Sequence, residues 1–368
     1  MSLKLIEIIR EIESVAPLSL QESYDNSGLL IGDVNMDIHA ALVCLDCTES
    51  VVDEAIAKGC NLIVAHHPII FGGLKKLIGQ NEVQRVVVKA IQNNLAIYAC
   101  HTNLDNVLLN GVNGKIAQKL NLENTQVLLS KDNLLYKLEV FVPVEHADVL
   151  KKALFAAGAG NIGNYSECSF SFEGQGSFRP NEGANPTLGE IGEMEQVNET
   201  KIEVVFPKWV KSKVLNAMFL AHPYEEVAYQ ILSTENGVNG YGSGVVGYLK
   251  EPMVEGDFLA YLKEKMELDV FEYTRFTGRE VKKVAICGGS GAFLIGKAKA
   301  EQADVYISAD IKYHEFFDAE NQLLICDIGH FESEKYTIEL MIEILSKKFP
   351  NFATIFAQTN TNPIQYYR

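Results

Sequence analysis

A chain of 368 residues is long enough for two or three domains, and 47% hydrophobic with 22% charged residues is typical of a soluble globular protein. The formal net charge of −16 argues against nucleic-acid binding, which needs a basic surface. It still permits a small anionic substrate or effector if bound metal ions supply positive charge. Seven singly spaced cysteines and the lack of a signal-peptide pattern predict a cytoplasmic protein. No apolar stretch is long enough to predict a membrane span or a membrane partner.

The first third of the chain alternates apolar runs with helical patterns. Residues 40–45, 62–65 and 95–100 are predicted to be strands. Thr48 is predicted to cap a helix that reaches about Lys58, and a second helix is predicted over residues 81–93. Strands separated by helices are typical of βαβ units with a mostly parallel sheet.

The middle of the chain has a different pattern. Strands are predicted at 138–142, 168–172, 202–206 and 227–232, helices at 145–157 and 208–219, and a loop over the glycine-rich stretch 174–189. The order βαββαβ is that of a ferredoxin-like α+β domain. We therefore expect residues 129–246 to form a separate inserted domain.

The last third repeats the first, with strands predicted at 284–287, 304–308 and 323–326 and helices predicted near 313–319 and from about 332 to 347. In both thirds the third strand is followed by a histidine with a carboxylate four residues later, His101 with Asp105 and His330 with Glu334. We expect an α/β fold in which two related lobes, residues 1–128 and 247–368, form one metal-binding unit around the insert. A chance similarity of two α/β halves is the alternative.

Two adjacent histidines, His66 and His67, follow the predicted strand 62–65 and precede Pro68. Proline disfavours helix at the residue before it, so the chain stays extended and then turns. The carboxyl ends of strands are where α/β proteins hold their ligands. A pair of imidazoles in this position suggests a metal ion.

Together with His101, Asp105, His330 and Glu334, this pair makes six potential ligands beyond predicted strands. Imidazole and carboxylate without thiolate suit zinc, iron, manganese or cobalt. Six exceeds the three protein ligands of a catalytic zinc ion and favours a bridged two-metal site. A mononuclear zinc site and ordinary packing of the histidines are the alternatives.

Several other residues have both a functional and a structural interpretation. The glycine-rich stretch 288–291 could bind a phosphate, but a tight turn is favoured. His314 could line the pocket and move protons, or belong to a surface helix. His222 is predicted to pack within the insert. Residues 25–26 are predicted to form a turn, with contact to the metal pocket as the alternative.

The motifs resemble one known family. They are ESYDNSGLLIG at 22–32, AHHP at 65–68, HTNLD at 101–105, DIGHFESE at 327–334 and NTNP at 360–363. On these segments the chain closely resembles the Nif-three-like dinuclear metal-centre family, often catalogued as GTP cyclohydrolase 1 type 2 homologues. The resemblance implies two divalent ions per chain, zinc, iron or manganese. It implies these ligands: His66, His67, Asp105, His330 and Glu334.

Within that set, Glu334 is predicted to bridge the two ions. His101 matches the family's site histidine, and we expect it to orient a ligand or move protons, or else to be a sixth ligand. In the insert, GQGSFRP at 174–180 and AHPYEE at 221–226 resemble a domain similar to PII and CutA proteins. The resemblance also implies a toroidal homohexamer.

Two functions follow. The first is a metal-dependent hydrolase that acts on GTP or a related nucleotide or phosphoester, with His101 or His314 as the catalytic residue that handles protons. GTP is implied by the family's label and by no purine-binding pattern in this sequence. The second is a non-catalytic protein that stores, delivers or senses metal and binds an effector at the insert.

Overall fold

The computed structural model describes residues 2–367, which fall into two compact units. The larger unit contains the described residues up to Ser130 together with those from Gly240 onward, and the smaller unit spans Lys131–Asn239. The larger unit contains several sheets and the smaller unit one, each together with helices, which confirms the predicted α/β class. Within residues 2–367, no helix combines the length and the apolar character needed to cross a membrane.

The N-terminal part of the larger unit alternates strands and helices as predicted. Its strands are β1 (Leu3–Lys4), β2 (Gly28–Ile31), β3 (Asp37–Ile38), β4 (Ala40–Cys44), β5 (Leu62–Ala65), β6 (Ala96–Ala99) and β7 (Glu123–Ser130). Its helices are α1 (Leu5–Val15), α2 (Glu49–Ala57), α3 (Glu82–Gln92), α4 (Thr102–Asp105) and α5 (Val112–Lys119). The predicted cap on α2 is confirmed, because the Thr48 side chain accepts a hydrogen bond from the Val51 amide.

The smaller unit has the element order βαββαβ. Its strands are β8 (Leu135–Pro143), β9 (Phe170–Phe178), β10 (Glu195–Pro207) and β11 (Tyr229–Ser233), and its helices are α6 (Ala147–Ala156) and α7 (Lys211–Ala221). The sheet order is β11-β8-β10-β9, with every neighbouring pair antiparallel. Alternate residues of β8, such as Leu138 and Val140, pack with Leu150 of α6 and Met218 of α7 in the core of this unit.

The C-terminal part completes the larger unit. Its strands are β12 (Gly242–Val254), β13 (Glu272–Tyr273), β14 (Glu280–Ser290), β15 (Val305–Ala309), β16 (Leu324–Asp327) and β17 (Ala353–Phe356). Its helices are α8 (Glu255–Lys265), α9 (Ile295–Ala300), α10 (His330–Glu334) and α11 (Thr337–Lys348).

The larger unit has two main sheets, and each contains a strand from the opposite end of the chain: β17 in the first sheet and β7 in the second. The first has the order β17-β4-β5-β6-β2 and is parallel except for β2. The second has the order β13-β16-β15-β14-β12-β7, with β14, β15 and β16 parallel. The central strands β5 and β15 are buried along their whole length, as expected for parallel strands covered on both faces.

The structure corrects two loop or turn predictions. Residues Gly174 to Phe178, predicted as loop, continue β9, because their backbone pairs with the long strand β10. The predicted tight turn at 288–291 is also wrong, since β14 runs on to Ser290. Of residues 288–291, only Gly289 has a left-handed φ, +66°. It lies within the register shift between β14 and β15.

Two helix predictions also change. The helix predicted from about 332 to 347 starts earlier, at His330, and is interrupted between α10 and α11. The helix predicted near residues 313–319 is a short 3-10 helix, Glu315–Ala319. Residues 102–105, directly after His101, form the single turn α4.

The residues after β17, 358–362, form what we call the C-terminal segment, and Glu54 of α2 anchors its start. The Glu54 carboxylate accepts hydrogen bonds from the backbone amides of Gln358 and Thr359, at 2.7 and 2.9 Å, and from the Thr359 hydroxyl at 2.6 Å. Burial alone would raise the pKa of Glu54, but these bonds and the one from Lys58 lower it to about 2.

This anchor predicts a pH-dependent stability. Since the folded pKa of Glu54 lies below its ordinary value of 4.5, the stabilisation is complete above about pH 5 and fades as the pH falls toward 2. Glu54→Gln should lower stability near pH 7 by about 1–3 kcal/mol, and its deficit should shrink as the medium is acidified. Thermal unfolding followed by circular dichroism from pH 7 to about pH 3.5 measures both.

Glu343→Gln is the matched control, because Glu343 pairs with Lys115 at the surface, where ion pairs contribute about 0–1 kcal/mol. A Glu54→Gln deficit that stays constant over the same pH range would contradict the assigned anchor.

Candidate metal centre

Topology brings the predicted histidines of the first third to one edge of the first sheet. β4, β5 and β6 are parallel neighbours, so their carboxyl ends lie side by side. Asp46 follows β4, His66 and His67 follow β5, and His101 follows β6. The backbone amides of His66 and His67 still bond to carbonyls at the end of β4, which keeps this part of the chain extended.

The second sheet supplies His330 and Glu334 through the turn between β16 and α10. Gly329 precedes α10 with a φ of +88°, a left-handed conformation that favours glycine. A Cβ at this position would also lie 2.3 Å from a carboxylate oxygen of Glu332. His330 and Glu334 are one helical turn apart, so both side chains face the same side of α10.

His66 is completely buried, and its protonation follows from its hydrogen bond. Its Nδ1 lies 2.8 Å from the carbonyl oxygen of Cys100, which can only accept, so Nδ1 carries the proton. The lone pair of Nε2 therefore faces the site. Nε2 lies 3.6 Å from Oδ1 of Asp105 and 3.8 Å from Oε1 of Glu334.

His67 and His330 are oriented by carboxylates behind them. Nδ1 of His67 donates to Asp46 at 2.7 Å, and Nδ1 of His330 donates to Asp310 at 2.7 Å. Their Nε2 atoms each lie 3.0 Å from Oε2 of Glu334 and 3.3 Å from one another. A carboxylate on Nδ1 with Nε2 turned into the site is the usual arrangement of metal-ligating histidines.

His101 repeats the arrangement with Asp25. Its Nδ1 donates to Asp25 at 2.8 Å, and its ring centroid lies 5.3 Å from those of His66 and His67. Burial would raise the pKa of Asp25, but hydrogen bonds from His101 and Thr102 lower it well below its usual value. Asp25 therefore contacts the site through His101, which was the alternative to the predicted turn.

Glu334 lies between His66 on one side and His67 with His330 on the other, and its side chain is buried, with the residue only 2% exposed. Oε1 faces His66 while Oε2 faces His67 and His330. Gly289 of β14 makes this possible, because a Cβ there would lie 2.2 Å from Oε1. The glycine-rich stretch that suggested a phosphate cradle instead accommodates a buried carboxylate.

The ionisable groups of the site shift one another's pKa. Burial would raise the pKa of Glu334, but the surrounding histidines, His330 first, lower it far below its usual value. Burial and the neighbouring Glu334 raise the pKa of Asp105. Burial would lower the pKa of His67 and His330, but their carboxylate partners raise it to about 10 and about 9. A divalent cation would take the place of these protons.

Two unpaired atoms test whether these residues fit a metal ion. Nε2 of His66 and Oδ1 of Asp105 are buried, and neither has a hydrogen-bond partner among residues 2–367. Leaving a buried polar atom unpaired costs about 1–3 kcal/mol, and a cation between the two atoms would satisfy both. The donor set of imidazoles and carboxylates suits zinc, iron or manganese.

Three groups of side chains have ligand atoms within 4.8 Å of one another: His66 with His67 and His101, His67 with His330 and Glu334, and His66 with Asp105 and Glu334. All six predicted site residues near the strand ends therefore come together. His314 does not join them, since it is exposed with its ring beside those of Tyr313 and Phe317. His222 of the smaller unit bonds to the Phe141 carbonyl, as expected of a packing residue.

The sequence prediction missed the orienting roles of Asp46 and Asp310. Asp46 lies two residues beyond β4 and Asp310 directly beyond β15, so strand-end position was an available signal for both. Nothing in their spacing connects them to a particular histidine.

The comparisons with known proteins agree on one family. The profile of the Duf34/NIF3 (NGG1p interacting factor 3) family matches residues 3–363. A Bacillus subtilis protein called GTP cyclohydrolase 1 type 2 homolog is 42% identical over 367 residues, 98% of each chain. The crystal structure of a Bacillus cereus protein related to NIF3 has a TM-score of 0.82 and 41% identity, covering 98% of both chains. A Staphylococcus aureus structure has a TM-score of 0.76 and 30% identity, covering 99% of both. The resemblance drawn from the sequence motifs is confirmed, and the chain belongs to the Duf34/NIF3 family.

Proposed function

We propose that this protein is a metal-dependent hydrolase with two divalent ions per chain, bridged by Glu334. The observation that carries the proposal is the position of the Glu334 carboxylate. One of its oxygens faces His66, which lies beside Asp105, and the other faces His67 and His330. A carboxylate placed between two sets of ligands is the arrangement that two-metal sites use.

In this proposal His66, Asp105 and Glu334 hold one ion, and His67, His330 and Glu334 hold the other. Three protein ligands per ion leave positions for water and substrate. When bound, such a pair of ions lowers the pKa of a water molecule and polarises the atom that it attacks. The protein residues supply the rigid frame, since each histidine is fixed through its Nδ1.

His101 is the residue to which we assign proton transfer. Its imidazole is 14% exposed, lies against the ligand histidines and is fixed by Asp25. His314, the other residue predicted for this role, lies outside the groups of potential ligands.

The proposed substrate is GTP or a related nucleotide or phosphoester. The name of the Bacillus subtilis relative supports GTP. In a chain with a net charge of −16, the ions would provide the positive charge that an anionic substrate requires.

The smaller unit is proposed to be the inserted PII/CutA-like domain, and its βαββαβ order with an antiparallel sheet supports a ferredoxin-like fold. The two related lobes and the toroidal homohexamer are likewise proposed from the family resemblance.

Metal content tests the ligand assignment. Glu334→Ala removes the shared carboxylate from both ions, so metal per chain should fall from about two ions to well below one. Elemental analysis of the purified protein after dialysis measures this directly. His314→Ala is the matched control and should retain the wild-type metal content, and equal metal in wild type and Glu334→Ala would refute the bridge.

Turnover tests the enzymatic part of the proposal. Wild-type protein loaded with zinc, iron or manganese should hydrolyse GTP or a member of a panel of nucleotides and phosphoesters. His66→Ala and Glu334→Ala should each lower kcat/KM by at least about 100-fold, because they remove metal ligands. If the wild type shows normal metal content but no turnover above these variants, the non-catalytic metal-binding function replaces the hydrolase.

A further inference from the structure

The C-terminal segment reaches the same sheet edge as the metal centre. β17 is parallel to β4, and Phe356 pairs with Val43. The carboxyl ends of parallel neighbours lie together, so the chain beyond β17 runs beside the chain beyond β4. This places Thr361 next to Asp46, although 315 residues separate them in the sequence.

A chain of three contacts leads from Thr361 to the proposed bridging carboxylate. The Thr361 hydroxyl donates to Oδ2 of Asp46 at 2.7 Å. The other oxygen, Oδ1, accepts from Nδ1 of His67 at 2.7 Å. Nε2 of His67 then lies 3.0 Å from Oε2 of Glu334. Each oxygen of Asp46 thus has one of these partners, and the hydroxyl sets the rotation of the carboxylate.

Asp46 needs this second partner. Its side chain is 35% exposed, so without the hydroxyl the carboxylate can rotate and bond to water. The neighbouring pair shows the same device, because Asp25 behind His101 accepts a hydrogen bond from the Thr102 hydroxyl. In both pairs a threonine hydroxyl holds the carboxylate that orients a histidine.

Thr361 is itself held on both sides. Before it, Glu54 binds the backbone of Gln358 and Thr359. After it, the side-chain amide of Asn362 donates to Glu332 of α10 at 3.0 Å. The segment is thus tied to α2 on one side and to the helix that carries Glu334 on the other, and the hydroxyl needs little reordering to reach Asp46.

We propose that Thr361 is a positioning residue for His67, which makes the C-terminal segment part of the metal centre. The proposal rests on the proposed metal binding by His67, His330 and Glu334. Thr361 contacts no ion itself. It acts through Asp46, by keeping the His67 ring in the orientation that turns Nε2 toward Glu334.

Titration with Co²⁺, followed by visible absorption, tests the proposal in the full-length protein. Thr361→Val should weaken the binding of one of the two Co²⁺ ions about tenfold and change the absorption band of that ion. Replacing a residue that orients a metal ligand typically lowers metal affinity about 10- to 100-fold, and we expect the low end of that range. Thr361→Ser keeps the hydroxyl and should restore the wild-type titration and spectrum.

Thr359→Val is the matched control, because Thr359 lies two residues before Thr361 and its hydroxyl bonds to Glu54 instead of Asp46. It should lower the thermal stability but leave the Co²⁺ titration unchanged. The proposal is overturned if Thr361→Val titrates like the wild type or if Thr361→Ser does not restore binding. It is also overturned if Thr359→Val weakens Co²⁺ binding as much as Thr361→Val does. If the wild type binds no Co²⁺ at all, the proposed function itself fails.

Discussion

One buried carboxylate, Glu334, is the constraint around which the larger unit is organised. Its side chain is almost inaccessible, and a buried charge is tolerated only when it is paired and hydrogen-bonded. Here the partners are His67 and His330, with His66 on the other side. His67 belongs to the first sheet's edge and Glu334 to the helix after β16, so the pairing joins the two sheets at the site.

The backbone around the site accommodates this carboxylate. Gly289 adopts a left-handed conformation and has no Cβ, so β14 can pass directly beside Oε1 of Glu334. Gly329 turns the chain from β16 into α10 and thereby directs Glu334 toward β14. Both glycines lie where a regular strand or helix would place a side chain in the way.

The candidate metal centre is rich in carboxylates, as is the chain as a whole. Carboxylates stand behind His67, His330 and His101, and Asp105 and Glu334 lie among the imidazoles. Such a site attracts cations and repels anions, so under the proposed function an anionic substrate would bind only together with the metal ions. The C-terminal segment extends the same network through the Asp46 carboxylate.

Much of the architecture was predictable from local sequence. Buried apolar runs identified β4, β5 and β6, Thr48 identified the start of α2, and the four-residue spacing from His330 to Glu334 placed both on one helix face. The same local logic failed at Gly174–Phe178 and Gly288–Ser290, because pairing with a neighbouring strand outweighs the weak strand preference of glycine.

The sequence by itself determined which residues end the strands and which of them carry imidazole or carboxylate, because strand burial and chain reversal depend on nearby residues. Only the tertiary structure decided which carboxylate stands behind which histidine. His67 and Glu334 are 267 residues apart, and Thr361 lies 315 residues from Asp46. Such contacts depend on strand order and register, above all on the exchange that brings β17 beside β4, and no local pattern records that pairing.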